Sequence, residues 1–274
     1  MPSTLSYAPA EPLCEFVSQY VLQRTDVSDH GSIRPVTAST AMLLIFHLRA
    51  PLEAFEYHTG RTRTLPAVMV VGPQTGRRAE LLSRGARANL IVRFEPGGFH
   101  RLFDVWPSSV VDTAVDARDL LGAEVGALGA WLVGLGTTAA QVRAVDEFLC
   151  ARVPTAAPRH AAHEAAVAML RNHGAGRVAD IVRASGLSAR QFERSFQRHT
   201  GLSPKRFARA ARLEFALQLK RGNPSHTWTR VSQEAGYFDQ THFVKEFKAL
   251  AGETPSTFPL SDRPLDPLQV QRPA

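Results

Sequence analysis

The first half of the chain alternates short apolar runs with turn-forming residues. Its opening apolar positions recur at i, i+3, i+4, i+7 and i+8, a spacing that predicts an amphipathic helix. These positions are Leu13, Phe16, Val17, Tyr20 and Val21. Later runs rich in β-branched and aromatic residues predict strands at 42–48, 52–58, 67–71, 79–82 and 88–94. Turn signals such as HTGRTR (58–63) and GPQTG (72–76) separate them, so we expect a β-rich sheet or partial barrel.

The pattern changes from strands to helices after the EPGG stretch at residues 95–98. Helical periodicity predicts helices at about 99–103, 120–135 and 139–153. Two prolines among small residues predict a linker at 154–159. Residues 160–258 are helical in pattern almost throughout, and the proline-rich stretch 259–274 predicts a frayed tail. We therefore expect an α+β protein of two domains, residues 1–153 and 160–258.

A repeat of about 51 residues occupies the second domain. Residues 181–207 (IVRASGLSARQFERSFQRHTGLSPKRF) match residues 231–258 (VSQEAGYFDQTHFVKEFKALAGETPSTF). The second copy is one residue longer in the turn. The equivalent positions are Gly186 and Gly236, Phe192 and Phe243, Phe196 and Phe247, Gly201 and Gly252, Pro204 and Pro255, and Phe207 and Phe258.

Each copy carries the signals of a helix-turn-helix. A glycine, Gly186 or Gly236, ends the first helix, because glycine adopts the left-handed conformation at low cost. Ser188 and Asp239 then cap a second helix, and Gln191 completes a capping box with Ser188. The paired phenylalanines bury one face of that helix, and the following Ser-Pro or Thr-Pro starts another helix. The sequence therefore predicts two helix-turn-helix units.

The face of each second helix opposite its phenylalanines carries polar side chains. Arginine, glutamine, threonine and lysine supply the donors that base edges and phosphates accept, so this face predicts DNA contact. An ordinary solvated face is the alternative, but two copies in register inside a basic segment favour DNA. His242 lies beside the face, where it contacts a phosphate or packs. The candidate DNA-binding residues are Arg190, Glu193, Arg194, Gln197 and Arg198 in the first unit and Gln240, Thr241, Lys245 and Lys248 in the second.

The stretch PKRFARAARLEFALQLKR (204–221) joins the two units without an internal glycine or proline. Its 18 residues predict a helix of about 27 Å at about 1.5 Å per residue. Successive major grooves on one side of B-DNA recur about every 34 Å. The helix is therefore expected to be a rigid spacer that presents both units to adjacent grooves of one non-palindromic site.

The net charge of +7 is concentrated in the repeat-containing part. Residues 159–258 contain 16 Lys and Arg against 8 Asp and Glu, whereas residues 1–158 contain 14 against 15. A polyanionic partner is therefore expected for the second domain alone. No secretory signal or membrane span is predicted, so we expect a cytoplasmic protein that does not bind membrane. Cys14 and Cys150 form no metal-binding pair and are expected to be inert thiols.

The second domain resembles the AraC/XylS family of bacterial transcriptional regulators over about residues 161–258. The family signature over the second unit and the following Gly-x-[Ser/Thr]-Pro reads EAGYFDQTHFVKEFKALAGETPSTF in this chain. The resemblance implies a first helix, two helix-turn-helix units joined by a long helix, and DNA reading by the second helix of each unit. It assigns DNA contact to Arg190, Glu193, Arg194, Gln240, Thr241 and Lys245, and it assigns the four paired phenylalanines to the core.

The first domain is more loosely similar to the sensor domain that precedes this module in a subgroup of these regulators. The stretches EPLCEFVSQYVLQ, VVGPQTG and VRFEPGGFHRLF are similar to that subgroup's opening helix, mid-domain turn and strand-to-helix junction. The similarity implies effector binding or dimerisation by this domain. No motif identifies effector-binding residues, which stay unknown.

A metal-dependent barrel enzyme fused to a DNA-binding module is the main alternative. Its candidate ligands are His47, His58 and His100. However, no His-x-His pair with a spaced Glu accompanies them. Polar surface is the expected role of His160, His163 and Glu164. A non-specific architectural protein is a third alternative, disfavoured because the predicted faces mix Gln, Thr and Glu with cations.

The sequence therefore predicts a sequence-specific transcription regulator and not an enzyme. It assigns no catalytic residue, cofactor or metal. The expected partners are promoter DNA, RNA polymerase if the protein activates transcription, a small-molecule effector and a second copy of the chain. No coiled-coil heptads support that dimer. The family resemblance implies the bacterial cytoplasm.

Overall fold

The computed structural model describes residues 3–25, 32–50, 52–83, 85–154 and 160–260. Over these ranges the protein is a two-domain α+β structure. The strands are β1 Ser3–Tyr7, β2 Val17–Thr25, β3 Ser32–Pro35, β4 Leu43–His47, β5 Glu53–Glu56, β6 Arg61–Thr64, β7 Val68–Val71, β8 Ala79–Ser83, β9 Arg87–Phe94 and β10 Ala114–Asp116. The α-helices are α1 Gly98–Phe103, α2 Ala117–Leu121, α3 Ala123–Gly134, α4 Thr138–Cys150, α5 Ala161–Arg171, α6 Val178–Ala184, α7 Ala189–Thr200, α8 Pro204–Gly222, α9 Trp228–Glu234 and α10 Gln240–Ala251.

The strands form two open antiparallel sheets. The larger sheet has the order β1-β2-β9-β4-β7-β10, and the smaller has the order β3-β8-β5-β6. At the centre of the larger sheet, Leu44 lies opposite Val92 on one side and Val70 on the other. All five predicted strands are present as β4, β5, β7, β8 and β9, which confirms a β-rich first domain.

The central strands of the larger sheet are buried on both faces, which explains their continuous apolar runs. Successive residues of a strand point to opposite faces. On β4, Leu44 and Phe46 therefore pack in the core that the sheet shares with α3 and α4. Leu43 and Ile45 point the other way and belong to the core between the two sheets.

The predicted opening helix is wrong. Its residues form a short 3-10 helix, Glu11–Leu13, and the nine-residue strand β2. β2 pairs with β1 along one edge and with β9 along the other. Tyr20 faces the helix-side core and Val21 faces the core between the sheets. Burial on both faces places apolar residues next to one another, so the strand lacks alternation and imitates helical spacing.

Helices α1 to α4 accompany the larger sheet. The helices predicted at 99–103 and 139–153 are confirmed as α1 and α4. The single helix predicted at 120–135 is instead two helices, α2 and α3, which meet at Gly122. Leu128 and Leu132 of α3 share the core with Phe46. Residues 61–63, which belong to the predicted turn 58–63, instead lie in strand β6 at the edge of the smaller sheet.

The helices of the second domain pack around one apolar core. α6 and α7 form the first predicted unit, α9 and α10 form the second, and α8 joins them as predicted. One prediction is wrong, because Thr254 and Pro255 begin a single turn and not a helix. The Thr254 carbonyl accepts hydrogen bonds from the backbone N–H of Thr257 at 3.1 Å and of Phe258 at 3.0 Å.

The predicted linker and tail fall mostly on residues 155–159 and 261–274, outside the described residues. The exact domain boundaries therefore stay predictions. Cys14 and Cys150 are both free thiols. Within the described ranges, no helix has the combination of length and apolar composition that a membrane span requires.

Candidate nucleic-acid interface

The turn of the first helix-turn-helix unit depends on Gly186, whose φ of 69° lies in the left-handed region. Ser188 then caps α7, since its Oγ accepts a hydrogen bond from the backbone N–H of Gln191 at 3.4 Å. In return, Gln191 Oε1 accepts from the backbone N–H of Ser188 at 3.2 Å. This reciprocal pair confirms the predicted capping box and fixes where α7 begins.

The second unit reaches the same geometry with different side chains. Gly236 has a φ of 75°, again in the left-handed region. Asp239 caps α10, because its Oδ1 accepts a hydrogen bond from the backbone N–H of His242 at 2.7 Å. A carboxylate at this position also interacts favourably with the positive end of the helix dipole. Both predicted caps are therefore confirmed.

Equivalent aromatic contacts stabilise each of the two units. In the first, the rings of Phe196 and Phe207 meet edge to face with centroids 5.3 Å apart. In the second, the rings of Phe247 and Phe258 meet in the same way, also at 5.3 Å. The phenylalanines paired on α7 and α10 are buried, as predicted. The repeat in the sequence is therefore also a repeat in packing.

All the predicted DNA-binding residues are exposed on α7 and α10, which we call the reading helices. Their buried faces are fixed by the phenylalanines, so the polar side chains occupy the remaining surface. The structure thus brings them together as one face on each helix. On α7 they are Arg190, Glu193, Arg194, Gln197 and Arg198, and on α10 they are Gln240, Thr241, Lys245 and Lys248. Their contact with DNA stays a prediction.

Two side chains near these faces already have partners within the protein. The guanidinium of Arg198 lies over the indole of Trp106 in the first domain, 3.9 Å from the ring centroid. His242 Nε2 lies 3.8 Å from Oε2 of Glu246, one turn further along α10. Arg198 is therefore positioned where the first reading helix meets the first domain.

Helix α8 is packed tightly against its surroundings and does not act as a loose connection. Arg209 Nε donates a hydrogen bond to Oε2 of the buried Glu246 at 2.9 Å, which joins α8 to α10. Arg212 donates to the carbonyl of Gly174, after α5, at 2.7 Å. Because α8 is bonded on both sides, the spacing between the reading helices is set by the packed domain.

Glu214, in the middle of α8, is buried and bonded to the first domain. Its Oε1 accepts from Ser39 Oγ at 2.6 Å and from the backbone N–H of Thr40 at 2.8 Å. Its Oε2 accepts from Thr40 Oγ1 at 3.1 Å. Several donors of this kind are what makes a buried carboxylate tolerable. Sequence analysis missed this contact, because one acidic residue on a polar helix carries no special signal.

A cluster of imidazole rings joins the first unit to the first domain. His199 of α7 stacks on His160 with centroids 4.1 Å apart and meets Trp106 edge to face at 5.0 Å. His163 was expected on the surface, which is wrong, since only 4% of it is exposed. Burial and the neighbouring His199 and His160 lower the pKa of His163 to about 3, so its ring is neutral near pH 7.

The histidines considered as metal ligands have other contacts. His47 Nδ1 lies 2.8 Å from Asn89 Oδ1, its cross-strand neighbour, and burial lowers the pKa of His47. His100 stacks on Trp106 with centroids 3.6 Å apart. The exposed His58 lies 3.9 Å from a carboxylate oxygen of Glu56. In the part of the chain that the structure describes, no three His, Cys, Asp or Glu side chains are grouped closely enough to hold a metal.

A cavity of about 380 Å³ lies between the two sheets, within the size range of small-molecule sites. Its apolar wall includes Leu43 and Ile45 of the larger sheet and Ala54 of the smaller. Two ion pairs lie at the cavity: Arg63 donates to Glu56 at 2.6 Å, and Arg78 lies 2.9 Å from Asp112. The second domain also lines the cavity, through Glu214, Arg221, Phe258 and Pro259.

Two family models match separate parts of the chain. A helix-turn-helix domain model matches residues 181–259, which contain the second unit and all of the first unit except the first three residues of α6. A model described as a domain of unknown function, DUF6597, matches residues 5–116 of the β-rich domain. No curated protein matches the chain.

Among solved structures, the chain is similar to ToxT from Vibrio cholerae. It matches an apo lysine-to-alanine variant of ToxT from strain SCE256 at 10% identity and a TM-score of 0.51, over 86% of this chain and 95% of that one. It matches wild-type ToxT bound to an unsaturated fatty acid at 11% identity and a TM-score of 0.50, over 86% and 93%. At these identities the similarity shows a shared fold, in which a β-rich domain precedes the helix-turn-helix region.

Proposed function

The second domain is an AraC-type helix-turn-helix module, and from this premise we propose that the protein is a sequence-specific transcription regulator. The observation that carries the proposal is the pair of in-register units held on one packed helix, α8. Both reading helices expose polar faces within the only segment that has a large excess of positive charge. A surface of this kind is suited to bind double-stranded DNA and to distinguish its base sequence.

The side chains of each reading helix suit different base edges. Arg190 and Arg194 are forked donors that match guanine O6 and N7, and Glu193 is an acceptor for the amino group of cytosine. On α10, Gln240 suits adenine, and Thr241 suits either a base edge or a phosphate. Lys245, Lys248, Gln197 and Arg198 are proposed to contact the phosphate backbone, which adds affinity without reading the sequence.

The two helices are proposed to read adjacent major grooves on one side of the duplex. α8 contains 19 residues and is therefore about 28 Å long. This length is compatible with the repeat of about 34 Å between successive grooves. Because the two faces carry different residues, the expected site is bipartite and non-palindromic.

The cavity between the sheets is the proposed site of a small-molecule effector. Its volume and mostly apolar wall favour a molecule with an apolar body and a polar end. A ToxT structure with the same fold holds an unsaturated fatty acid, which makes a fatty acid a reasonable first probe. Glu214 and Phe258 line the cavity and also belong to the DNA-binding module, so an occupant contacts both domains.

A second copy of the chain is a further proposed partner. On helix α3, Trp131 is 55% exposed and Val133 is 58% exposed. The rest of this helix has little polar surface. Exposed apolar surface of this kind is typical of a protein interface. If the protein activates transcription, RNA polymerase is the other expected partner.

The proposed DNA function is tested by selecting duplexes from a random pool and measuring affinity for the selected and scrambled sequences. We expect selected duplexes to bind at least about 10³-fold more tightly at physiological salt, with affinity falling steeply as salt rises. Replacing Arg190 and Arg194 with alanine is expected to remove most of this discrimination. The charge-matched control combines Arg49→Ala with Arg61→Ala, which removes two exposed arginines of the first domain. Equal affinity of the unmodified protein for scrambled duplexes would contradict a specific regulator.

The proposed effector site is tested with oleate as a probe, by calorimetry and by its effect on DNA affinity. The Ala54→Leu variant adds bulk to a buried wall of the cavity and should weaken oleate binding. Leu5→Ala changes an exposed apolar residue outside the cavity lining and is the control. Unchanged binding in the Ala54→Leu variant would show that oleate binds elsewhere.

A further inference from the structure

The two helix-turn-helix units differ by one residue in their turns. In the first unit, only Leu187 lies between the turn glycine Gly186 and the capping residue Ser188. In the second, Tyr237 and Phe238 lie between Gly236 and the capping Asp239. The first unit is therefore an internal reference that identifies what the second has gained.

Tyr237 fills the structural place of Leu187, because both side chains pack against the core of the second domain. The Tyr237 ring lies 4.9 Å from that of Phe243, and only 6% of the residue is exposed. Phe238 is thus the additional residue, and it is 95% exposed. Leaving a phenylalanine side chain in water forgoes the favourable free energy that its burial would contribute. Packing of the turn gives no account of this side chain.

The position of Phe238 is informative, since it directly precedes the cap of α10. The N-terminal end of a recognition helix is the part that enters the major groove. Gln240 and Thr241, which are proposed to meet base edges, are the first residues of the same helix. An exposed aromatic ring at this point therefore lies beside the surface that would approach the bases.

Resting on the proposed DNA function, we infer that Phe238 is a specificity-determining residue that contacts the C5-methyl group of a thymine at the edge of the second half-site. That methyl is the prominent apolar group of the major groove, and phenylalanine is among the side chains that contact it. The contact buries apolar surface on both partners. The first unit, which lacks the additional residue, makes no equivalent contact.

The test uses duplexes in which single thymines of the selected site are replaced by uracil, which differs only by lacking the methyl. Phe238→Ala is the test variant and Phe238→Leu, which keeps an apolar side chain, is its partner. Since Phe238 is almost fully exposed, both variants are expected to fold as the unmodified protein does. Circular dichroism and thermal unfolding check this.

We expect one thymine in the second half-site at which uracil weakens binding of the unmodified protein about fourfold, the effect of about one buried methyl group. The same substitution should leave the affinity of Phe238→Ala unchanged, while Phe238→Leu should lie between the two. Uracil in the first half-site should not couple to residue 238 at all.

Three results would overturn the inference. One is an equal uracil effect in the unmodified protein and in Phe238→Ala at every position. Another is a uniform loss of affinity in Phe238→Ala for selected and scrambled duplexes, which would indicate a backbone contact. The third is the absence of sequence-specific binding by the unmodified protein, which would also remove the proposed function and is recognised before any variant is made.

Discussion

The two helix-turn-helix units meet the first domain at equivalent points but through different chemistry. Each reading helix ends at a left-handed glycine, Gly201 with a φ of 80° or Gly252 with a φ of 82°. A side-chain carbon on Gly201 would lie 3.1 Å from the Pro107 carbonyl oxygen and 2.8 Å from Val111 Cγ2. On Gly252 it would lie 2.5 Å from Cδ of Arg77. The first contact is therefore against backbone and a packed side chain, and the second against a single arginine side chain.

The groups beside these glycines differ in the same way. Next to Gly201, Arg198 and His199 contact Trp106 through their π systems. Next to Gly252, Glu253 pairs with Arg77, which also pairs with Glu80 of β8. Ring contacts respond to protonation and packing, whereas ion pairs respond to salt. The repeat therefore has two attachments to the first domain that solution conditions can perturb separately.

The units also differ in their internal support. Helix α9 of the second unit buries Val231 and Ser232, whereas the residues of α6 in the first unit are all at least partly exposed. Local stability follows buried apolar contact. The first unit consequently depends more on the phenylalanines of α7 and on its attachment to the first domain.

The largest expected effect is that of truncating the equivalent phenylalanines. Phe192→Ala and Phe243→Ala should each lower the free energy of unfolding by about 3–5 kcal/mol, the usual cost of removing a buried ring. Because α6 has little support of its own, Phe192→Ala should also unfold the first unit locally. Hydrogen exchange should then show loss of protection across residues 178–200. If the mutated unit keeps equal hydrogen-exchange protection in the two variants, the proposed difference in packing support between α6 and α9 is wrong.

The next effect concerns the two glycines. Gly201→Ala combines a left-handed alanine, which costs about 1–2 kcal/mol, with a clash against Val111 Cγ2 at 2.8 Å and a tight approach to the carbonyl oxygen of Pro107 at 3.1 Å. Gly252→Ala carries the same backbone cost, but the side chain of Arg77 can move away. We expect Gly201→Ala to destabilise the protein by about 1 kcal/mol more than Gly252→Ala, measured by urea unfolding. A larger loss at Gly252 would show that Arg77 is held rigidly by its ion pairs.

Acidification should weaken the first attachment. The pKa of His163 is about 3 in the folded protein, against an ordinary value of 6.5. Because the unfolded chain binds the proton more readily, the stabilising contribution is fully present above pH 6.5 and is lost as the pH falls toward 3. Between pH 7 and pH 5 the loss is about 2 kcal/mol of the free energy of unfolding.

The control for this pH effect is His163→Gln, which keeps a polar side chain but does not titrate. Its unfolding free energy should fall by about 2 kcal/mol less over the same pH range. Burial also lowers the pKa of His100 and His199, so some pH dependence should persist in the variant. An unchanged pH dependence in His163→Gln would contradict the assignment.

The two domains differ in how well their structure can be predicted from the sequence. In the second domain, the signals are local: Gly186, Ser188 and Gln191 lie within six residues, and the repeat supplies an independent second copy. In the first domain, strand β2 was misassigned because its burial depends on β9, which lies far away in the chain. Non-local pairing leaves no pattern within a short window of sequence.

The contacts between the domains were unpredictable for a related reason. Glu214 accepts hydrogen bonds from Ser39 and Thr40, which are more than 170 positions earlier. His163 has the ordinary surroundings of an exposed helix in the sequence, yet the structure buries it beside Gly97. The polar faces of the reading helices could be predicted, whereas their attachment to the first domain required the folded chain.

The smallest expected effect concerns Arg198, which is both a proposed phosphate contact and a partner of Trp106. A cation over an aromatic ring at a partly exposed site contributes about 0.5–1 kcal/mol. Trp106→Ala should release the guanidinium and raise affinity for the selected duplex about two- to fivefold, whereas Trp106→Phe, which keeps a ring, should change it less. The gain should disappear when Arg198→Ala is combined with Trp106→Ala. A gain that survives in this double variant would mean that Trp106 restrains the first reading helix through His199 or the backbone, and that Arg198 is not the group released.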